Sequence, residues 1–431
     1  MKKYIFLIGF LMVFGCSSSQ VTETEEVIEE IVVTKKPNIL LIIADDMGLD
    51  ATPNYSEGTI KPNMTNLQSL MNDGITFENF WSYPVCTPTR AAILTGKYGI
   101  KTDVIEVGDE ISTSETSIQK YIDTNTNDEY ASAMIGKWHL SVDGADALTM
   151  GIDYYAGIIN GGVPSYTNWN FYENGTTTNS TEYTTTKFTD LAIDWIDKQT
   201  KPWFLWMGYN APHTPFHLAP TNLHSQGSLP TDDASIAANP MPYYMSAIEV
   251  LDSEIGRLIN SMSAEEKANT VIIFIGDNGT PNKVSQAPYG RTRAKGSLYQ
   301  GGINVPLVVS GAGVTKKGSR EDALIHATDI YNTVGNIAGI NSSTINNSTS
   351  FYELFSGTSS NEREYVYAET TNDYTIRNNT YKLLVFSDGS EEFYNLSTDS
   401  YENTNLIGTT LSSEATKAKT ALKIEADKIR M

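Results

Sequence analysis

Ile39-Leu40-Leu41-Ile42-Ile43, followed at once by Ala44-Asp45-Asp46, is the stretch whose reading sets the fold. Five apolar residues run without polar alternation, the pattern of a strand buried on both faces, as in a parallel sheet. Similar runs recur at 203–207, 271–275 and 305–309, and amphipathic helical patterns such as 64–71 and 245–262 lie between them. Strands alternating with helices predict an α/β architecture, a doubly wound, mostly parallel sheet flanked by helices. From about residue 340 the texture changes. An Asn/Ser/Thr-rich stretch leads to short strand patterns at 365–368, 374–377 and 381–385 and a closing helix at 412–430. This predicts a smaller C-terminal α+β domain with an antiparallel sheet, dividing the folded chain into 37–340 and 341–431.

The chain has 431 residues, 40% of them apolar, enough to bury a substantial core. Its formal net charge of −21 argues against nucleic acid as a partner and offers no basic patch for anionic lipid. An anionic ligand must therefore find a locally positive site. Charge is screened beyond about 8 Å at physiological salt, so a recessed cluster of cations can dominate at close range. Lys2 and Lys3 precede an apolar run at 5–14 that is too short to span a bilayer. The run ends Val13-Phe14-Gly15-Cys16, which resembles a bacterial lipoprotein signal with Cys16 as the lipidated first residue. Residues 1–16 are thus expected to be a signal peptide. The chain would be exported and held at the membrane, in the periplasm or on the cell surface, through the Cys16 lipid alone. Residues 17–36 are polar and acidic and read as a flexible tether. The chain has two cysteines, so lipidation of Cys16 leaves Cys86 without a partner.

Ligands of open α/β sheets bind beyond the carboxyl ends of the strands. Two apolar runs end there in acidic or amide pairs, Asp45-Asp46 and Asp277-Asn278. Adjacent carboxylates repel unless a cation or proton intervenes. Three Asp and one Asn form the hard oxygen set that calcium or magnesium prefers. Either pair alone is more simply a turn or a helix cap; two pairs after two core strands point to metal.

In Val85-Cys86-Thr87-Pro88-Thr89-Arg90, Pro88 with Thr87 just before it reads as a helix start with Pro at the first helical position. Cys86 then sits at a helix N-terminus, where backbone N–H groups favour an anion, and Arg90 lies about one turn further on. A buried structural cysteine is the plainer reading of this segment alone.

The chain as a whole resembles the formylglycine-dependent type I sulfatases of the alkaline phosphatase superfamily. Their signature Cys-x-Pro-x-Arg is matched by Cys86, Pro88 and Arg90 and continues into Ala91-Ala-Ile-Leu-Thr-Gly96. Further matches follow in family order: Asp45-Asp46-Met47-Gly48, Gly136-Lys137-Trp138-His139, Ala211-Pro212-His213, Leu251-Asp252, Gly276-Asp277-Asn278-Gly279 and Lys295-Gly296. The resemblance runs from residue 37 to about 406.

It implies that a formylglycine-generating maturation enzyme oxidises Cys86 to formylglycine, whose hydrate attacks the sulfur of a sulfate ester. It implies that Asp45, Asp46, Asp277 and Asn278 hold a calcium ion, with magnesium as the alternative. Arg90, Lys137 and Lys295 would surround the sulfate oxygens. His213, helped by Lys295, would face the bridging oxygen, and His139 would take the proton that lets the sulfated intermediate collapse. The expected substrate is a sulfated carbohydrate, since a periplasmic or surface lipoprotein suits degradation of polysaccharide fragments, and the 37–340 domain would be the catalytic one. A phosphoester or phosphonate monoester hydrolase of the same superfamily is the alternative chemistry. A sulfated-glycan binding lipoprotein with unconverted Cys86 is the alternative without chemistry.

Three positions depart from the family pattern, the mildest being Thr89 in place of the commoner Ser. Gln300 and Asn304 stand where it has an acidic and a basic residue, consistent with joint loss of one local ion pair. Loops at 166–179, 218–242 and 280–293 are expected to shape the leaving-group side. Trp138, Trp169, Tyr172 and Tyr289 are candidates for sugar stacking, with an ordinary core or surface aromatic as the default reading of each. His217, His224 and His326 are left as structural or subsite residues, and Asp329 as structural.

Overall fold

A computed structural model describes residues 35–357 and 363–431; the expected signal peptide, Cys16 and nearly all of the tether lie outside them. Residues 35–431 form one compact unit. Ten strands make the main sheet: β1 (Asn38–Ala44), β2 (Gly74–Trp81), β3 (Ala131–Lys137), β4 (Tyr154–Ile158), β5 (Trp169–Glu173), β6 (Thr176–Ser180), β7 (Trp203–Gly208), β8 (Thr270–Gly276), β9 (Leu307–Gly311) and β10 (Ser319–His326). Their order is β10-β2-β9-β8-β1-β7-β3-β4-β5-β6. The central five, β8 to β4 in that order, are all parallel.

The apolar run of β1 is buried along its whole length, and its two faces feed two cores. Ile39, Leu41 and Ile43 join a core with Ile93, Leu94, Ile122, Ile330 and Val334, contributed by the helices Cys86–Thr95, Ile118–Thr126 and Asp329–Ile337. Leu40 and Ile42 join a second with Leu67, Phe188, Ile248 and Leu251, from the helices Thr65–Asn72, Thr184–Ile196 and Met241–Ser261. Helices on both faces oblige the central strands to be apolar throughout, which is why they carry no alternation. None of the described helices is long and apolar enough to cross a membrane.

Three expectations need correction. The run at 305–309 becomes β9, which pairs antiparallel with both β8 and β2. An unbroken apolar run reports burial on both faces and carries no information about direction. Residues 166–179 are largely a β-hairpin, β5 against β6, and not a loop. The helix predicted at 245–262 begins earlier, at Met241, with Pro242 in its first turn.

Beyond a two-residue hairpin, β11 (Thr344–Ile345) with β12 (Ser348–Thr349), lies a four-stranded antiparallel sheet. It consists of β13 (Val366–Glu369), β14 (Tyr374–Arg377), β15 (Tyr381–Val385) and β16 (Glu391–Asn395). The helix Ser413–Arg430, N-capped by the Ser412 hydroxyl, covers one face through Leu422 and Ala426. The other face packs Val366, Ala368, Leu384 and Tyr394 against Trp81, Leu298, Ile303 and Leu324.

Candidate active site

The parallel register assembles the site. Ala44 of β1 lies opposite Gly276 of β8, so Asp45-Asp46 and Asp277-Asn278 leave the sheet side by side. Gly208 of β7 lies opposite Ile43 on one side and Gly136 of β3 on the other, which brings Lys137 to the same edge. Close approach explains glycine at 136. Its φ is +108°, and a Cβ there would stand 2.0 Å from the Gly208 carbonyl oxygen.

The two acidic pairs are stitched together. The Asp277 amide donates to the Ala44 carbonyl (3.1 Å), the Asp46 amide to Asp277 Oδ1 (3.1 Å), and Asn278 Nδ2 to Asp46 Oδ1 (2.8 Å). Cations close around them. Lys137 Nζ donates to Asp45 Oδ2 at 2.6 Å, and both groups are fully buried. Arg90 Nε and Nη2 donate to Asp277 Oδ2 at 3.1 and 2.8 Å, while its Nη1 donates to the Lys137 carbonyl at 2.9 Å. Lys295 Nζ donates to Asp46 Oδ1, and His213 Nε2 lies 3.8 Å from Asp46 Oδ2. His213 Nδ1 donates to the Thr214 carbonyl (2.8 Å), leaving Nε2 as the atom that faces the cluster.

Burial alone would raise the Asp45 carboxyl, yet Lys137, His213, Arg90 and Lys295 outweigh it and hold this acid well below the ordinary carboxylate range. Asp277 moves the other way, pushed up to about 7 by burial and by the neighbouring Asp45 carboxylate. Two adjacent carboxylates thus compete for one set of cations, the repulsion that a dication would relieve. Asp45 Oδ1 and Asn278 Oδ1 are buried acceptors without a hydrogen-bond partner. Ligand atoms of Asp45, Asp46 and His213 lie within 4.8 Å of one another. Orphaned hard oxygens beside crowded carboxylates are what a calcium or magnesium ion would satisfy, so the residues fit such an ion.

Cys86 is the first residue of the helix Cys86–Thr95, with Val85 as an extended N-cap. The helix therefore starts two residues before Pro88, and Pro88 occupies the third position of the first turn, where its missing N–H costs nothing. The Thr87 hydroxyl is no cap; it lies 3.3 Å from His139 Nδ1. Cys86 Sγ lies 3.3 Å from the same nitrogen. Burial pushes the Cys86 thiol up, so the unmodified side chain is protonated and a poor nucleophile at neutral pH.

His139 follows β3 with φ +55° and is anchored by its amide, which donates to the Ile159 carbonyl at 2.9 Å. Burial, then Lys137 and Arg90, lower its imidazole to about 3, so the ring is neutral at physiological pH. The loop after β4 runs against both histidines. A Cβ on Gly161 would lie 2.5 Å from His139 Cε1 and Nε2, and one on Gly162 would lie 3.3 Å from His213 Cε1.

The ten candidate catalytic and metal-holding residues therefore meet at the carboxyl ends of the central strands. The sequence reading missed Thr87, the Gly161-Gly162 pair, and Tyr244, whose hydroxyl donates to the Asp46 carbonyl at 2.8 Å. A Gly-Gly pair just beyond a strand signals close approach, but only the fold shows what approaches.

The four aromatics proposed for sugar stacking are buried in the protein: Trp138 and Trp169 at 1% exposure, Tyr172 at 5% and Tyr289 at 7%. That role is withdrawn for them. His326 is fully buried between Tyr83 and Tyr98. His217 stacks on Tyr166 at 4.0 Å, and His224 bonds the Ala219 carbonyl. Asp329 accepts from the His326 and Thr349 amides and pairs with Arg363. At the departures, Asn304 Nδ2 donates to the Glu78 carbonyl, and the Gln300 backbone N–H donates to Glu402, itself paired with Lys382 at 2.6 Å.

Residues 37–340 match the Sulfatase family model. The chain belongs to the Sulfatase family. Residues 293–429 also match the model described as N-sulphoglucosamine sulphohydrolase, C-terminal. Among curated relatives, Arylsulfatase G of Rattus norvegicus is 26% identical over 368 residues, covering 70% of this chain and 65% of the relative. The uncharacterized sulfatase YdeN of Escherichia coli (strain K12) is 28% identical over 371 residues, covering 71% and 63%. The chain thus spans just under two thirds of the length of these sulfatases. Among solved structures, Ps i-CgsB in complex with k-i-k-neocarrahexaose superposes with a TM-score of 0.78 at 23% identity, covering 91% of this chain and 92% of that one. A structure in complex with its substrate D-Glucosamine-2-N, 6-O-disulfate gives 0.77 at 18% identity, covering 92% and 98%. The doubly wound fold with its C-terminal antiparallel sheet is the fold of these structures.

Proposed function

We propose that this protein is a sulfuric ester hydrolase that releases sulfate from sulfated carbohydrate. The observation that carries the proposal is the convergence on Cys86, at a helix N-terminus, of a neutral proton acceptor, His139, and of three cations that bracket four oxygen ligands. Carbohydrate is favoured by relatives such as N-acetylgalactosamine-6-sulfatase of Sus scrofa and by the sugar complexes among the structural neighbours.

Formylglycine made from Cys86 and hydrated would supply the hydroxyl nucleophile, and calcium or magnesium held by Asp45, Asp46, Asp277 and Asn278 would polarise a sulfate oxygen. The chain's own residues do the rest. The helix N-terminus and Arg90 draw the sulfate towards position 86, and Lys137 and Lys295 oppose the negative charge that grows on its oxygens. Lys295 is held charged: burial works against it, but Asp46 and Asp45 raise it. His213 Nε2, on the Asp46 side, is placed to protonate the departing alcohol oxygen. His139 Nδ1, 3.3 Å from the side-chain atom of position 86, is placed to accept the proton released there.

Conversion of Cys86 requires a formylglycine-generating maturation enzyme as partner. The export signal, the Cys16 lipid anchor, the periplasmic or cell-surface location and the 37–340/341–431 division belong to the same reading and rest on the sequence alone.

The test compares initial rates of the matured protein on an aryl sulfate and on the matching aryl phosphate. A dominant sulfatase rate is expected. A dominant phosphatase rate would make the protein a phosphoester hydrolase of the same superfamily.

A further inference from the structure

A groove of about 490 Å³ lies beside the cluster, between the segment that follows His213 and the segment that follows Thr280. One wall starts at Thr214, whose carbonyl accepts from His213 Nδ1 at 2.8 Å. The opposite wall starts at Pro281 and Asn282. In the orientation that satisfies its donors, the Asn282 amide donates to the Lys295 carbonyl at 3.2 Å. His213 and Lys295 both approach the Asp46 carboxylate, and the reaction proposed above sets the leaving alcohol beside them. The groove therefore opens where a departing alcohol would emerge. Its floor is tied to the same cluster: Phe216 packs edge-on against Tyr244 at 6.0 Å, and the Tyr244 hydroxyl donates to the Asp46 carbonyl.

The lining is amphipathic. Phe216, Ile236 and Pro281 give apolar surface, while Asp233, Asn282 and Lys283 supply polar and charged groups. A pyranose has the same division, an apolar C–H face with hydroxyls around its edge. Asp233 offsets Lys283, so the groove carries no net positive charge to recruit a second sulfate. Its volume exceeds what a small alcohol would fill.

We propose that this groove is a subsite for a neutral sugar unit linked to the sulfated one, so that the preferred substrate is an oligosaccharide of at least two units. The inference rests on the sulfatase reading above. The sulfated unit sits at the mouth between His213 and Lys295, and its neutral neighbour lies on Phe216 and Ile236 with its hydroxyls towards Asn282 and Asp233.

The test uses the full matured chain and three sulfate esters: nitrophenyl sulfate, a sulfated monosaccharide, and the same monosaccharide bearing one neutral sugar. The wild type is expected to favour the disaccharide over the monosaccharide by about tenfold in kcat/KM, the selectivity that burying one or two methylene equivalents supplies. Two variants lie on the helix Asp233–Ala238, which buries no residue, so neither threatens the fold. Ala237→Trp fills the groove and should erase the preference, with the disaccharide losing about tenfold more than the monosaccharide. Ile236→Ala should narrow the preference by about fivefold. Equal wild-type rates on both sugars, or equal losses on both in Ala237→Trp, would overturn the proposal while leaving the sulfatase reading intact. Failure of the Cys86-converted wild type to hydrolyse any of the three esters would remove that reading, and this inference with it.

Discussion

Gly161 is the position where a single methyl group should separate chemistry from stability. An alanine Cβ there would stand 2.5 Å from His139 Cε1 and Nε2, against an ordinary contact of at least 3.4 Å. The ring must yield by about 0.9 Å. It cannot yield through the main chain, because the His139 amide is held by the Ile159 carbonyl at 2.9 Å. Gly161 has no left-handed φ, so alanine strains no backbone. The ring itself is a side-chain end that can rotate. Rotation of this size breaks the 3.3 Å approach of His139 Nδ1 to Cys86 Sγ. A displacement near 1 Å at a proton-transfer group costs roughly a hundredfold in rate, so Gly161→Ala should lower kcat by about 30- to 100-fold. The assay is steady-state sulfate release from an aryl sulfate, paired with a thermal melt. The melting temperature should move by no more than a few degrees (roughly 1 kcal/mol). A variant that melts like the wild type and turns over at the wild-type rate would show that the position of His139 is immaterial and refute this reasoning.

Three further outcomes follow from the same geometry. If an ion satisfies Asp45 Oδ1 and Asn278 Oδ1, calcium at about 100 times its Kd should stabilise the fold by about 2.7 kcal/mol, read as a rise in melting temperature that a chelator reverses; a melt indifferent to calcium and magnesium speaks against a metal here. Burial, Lys137 and Arg90 lower His139 to about 3, so its accepting form is lost only as pH falls through that value; sulfate release should show no His139 limb near pH 6.5, and a limb there that vanishes in His139→Ala would contradict the assignment. Arg363 Nε donates to Asp329 Oδ2 at 2.7 Å in a buried pair, so Arg363→Met should cost about 3 kcal/mol in urea unfolding; the two backbone amides on Asp329 keep the loss at the lower end, and a cost below about 1 kcal/mol would refute the pair's importance.

What could be read from the sequence, and what could not, divides along physical lines. The β1 run declared its burial because helices on both sides leave no place for a polar residue, and the acidic pairs declared themselves by following such runs. Register then did what no linear pattern reports: Ala44 opposite Gly276 makes neighbours of residues more than two hundred positions apart. The direction of β9 was illegible because burial is the same for parallel and antiparallel strands. The helix start was misplaced because Pro88 is tolerated anywhere in the first turn, and Val85 caps with no side-chain hydrogen bond. Trp138, Trp169, Tyr172 and Tyr289 read as sugar platforms only while their burial was unknown, since an aromatic serves a core and a subsite equally well. Gly161 and Gly162 carry no chemistry of their own, and their importance appears only once His139 and His213 are seen against them.

In the proposed reaction, position 86 provides the atom that attacks sulfur. Sulfate release by the matured wild type and by Cys86→Ala, both loaded with calcium and verified as folded, tests it most directly. Loss of essentially all turnover in the alanine variant, with the melting curve retained, is the expected result; sulfate release by Cys86→Ala at a rate comparable to wild type would contradict the account.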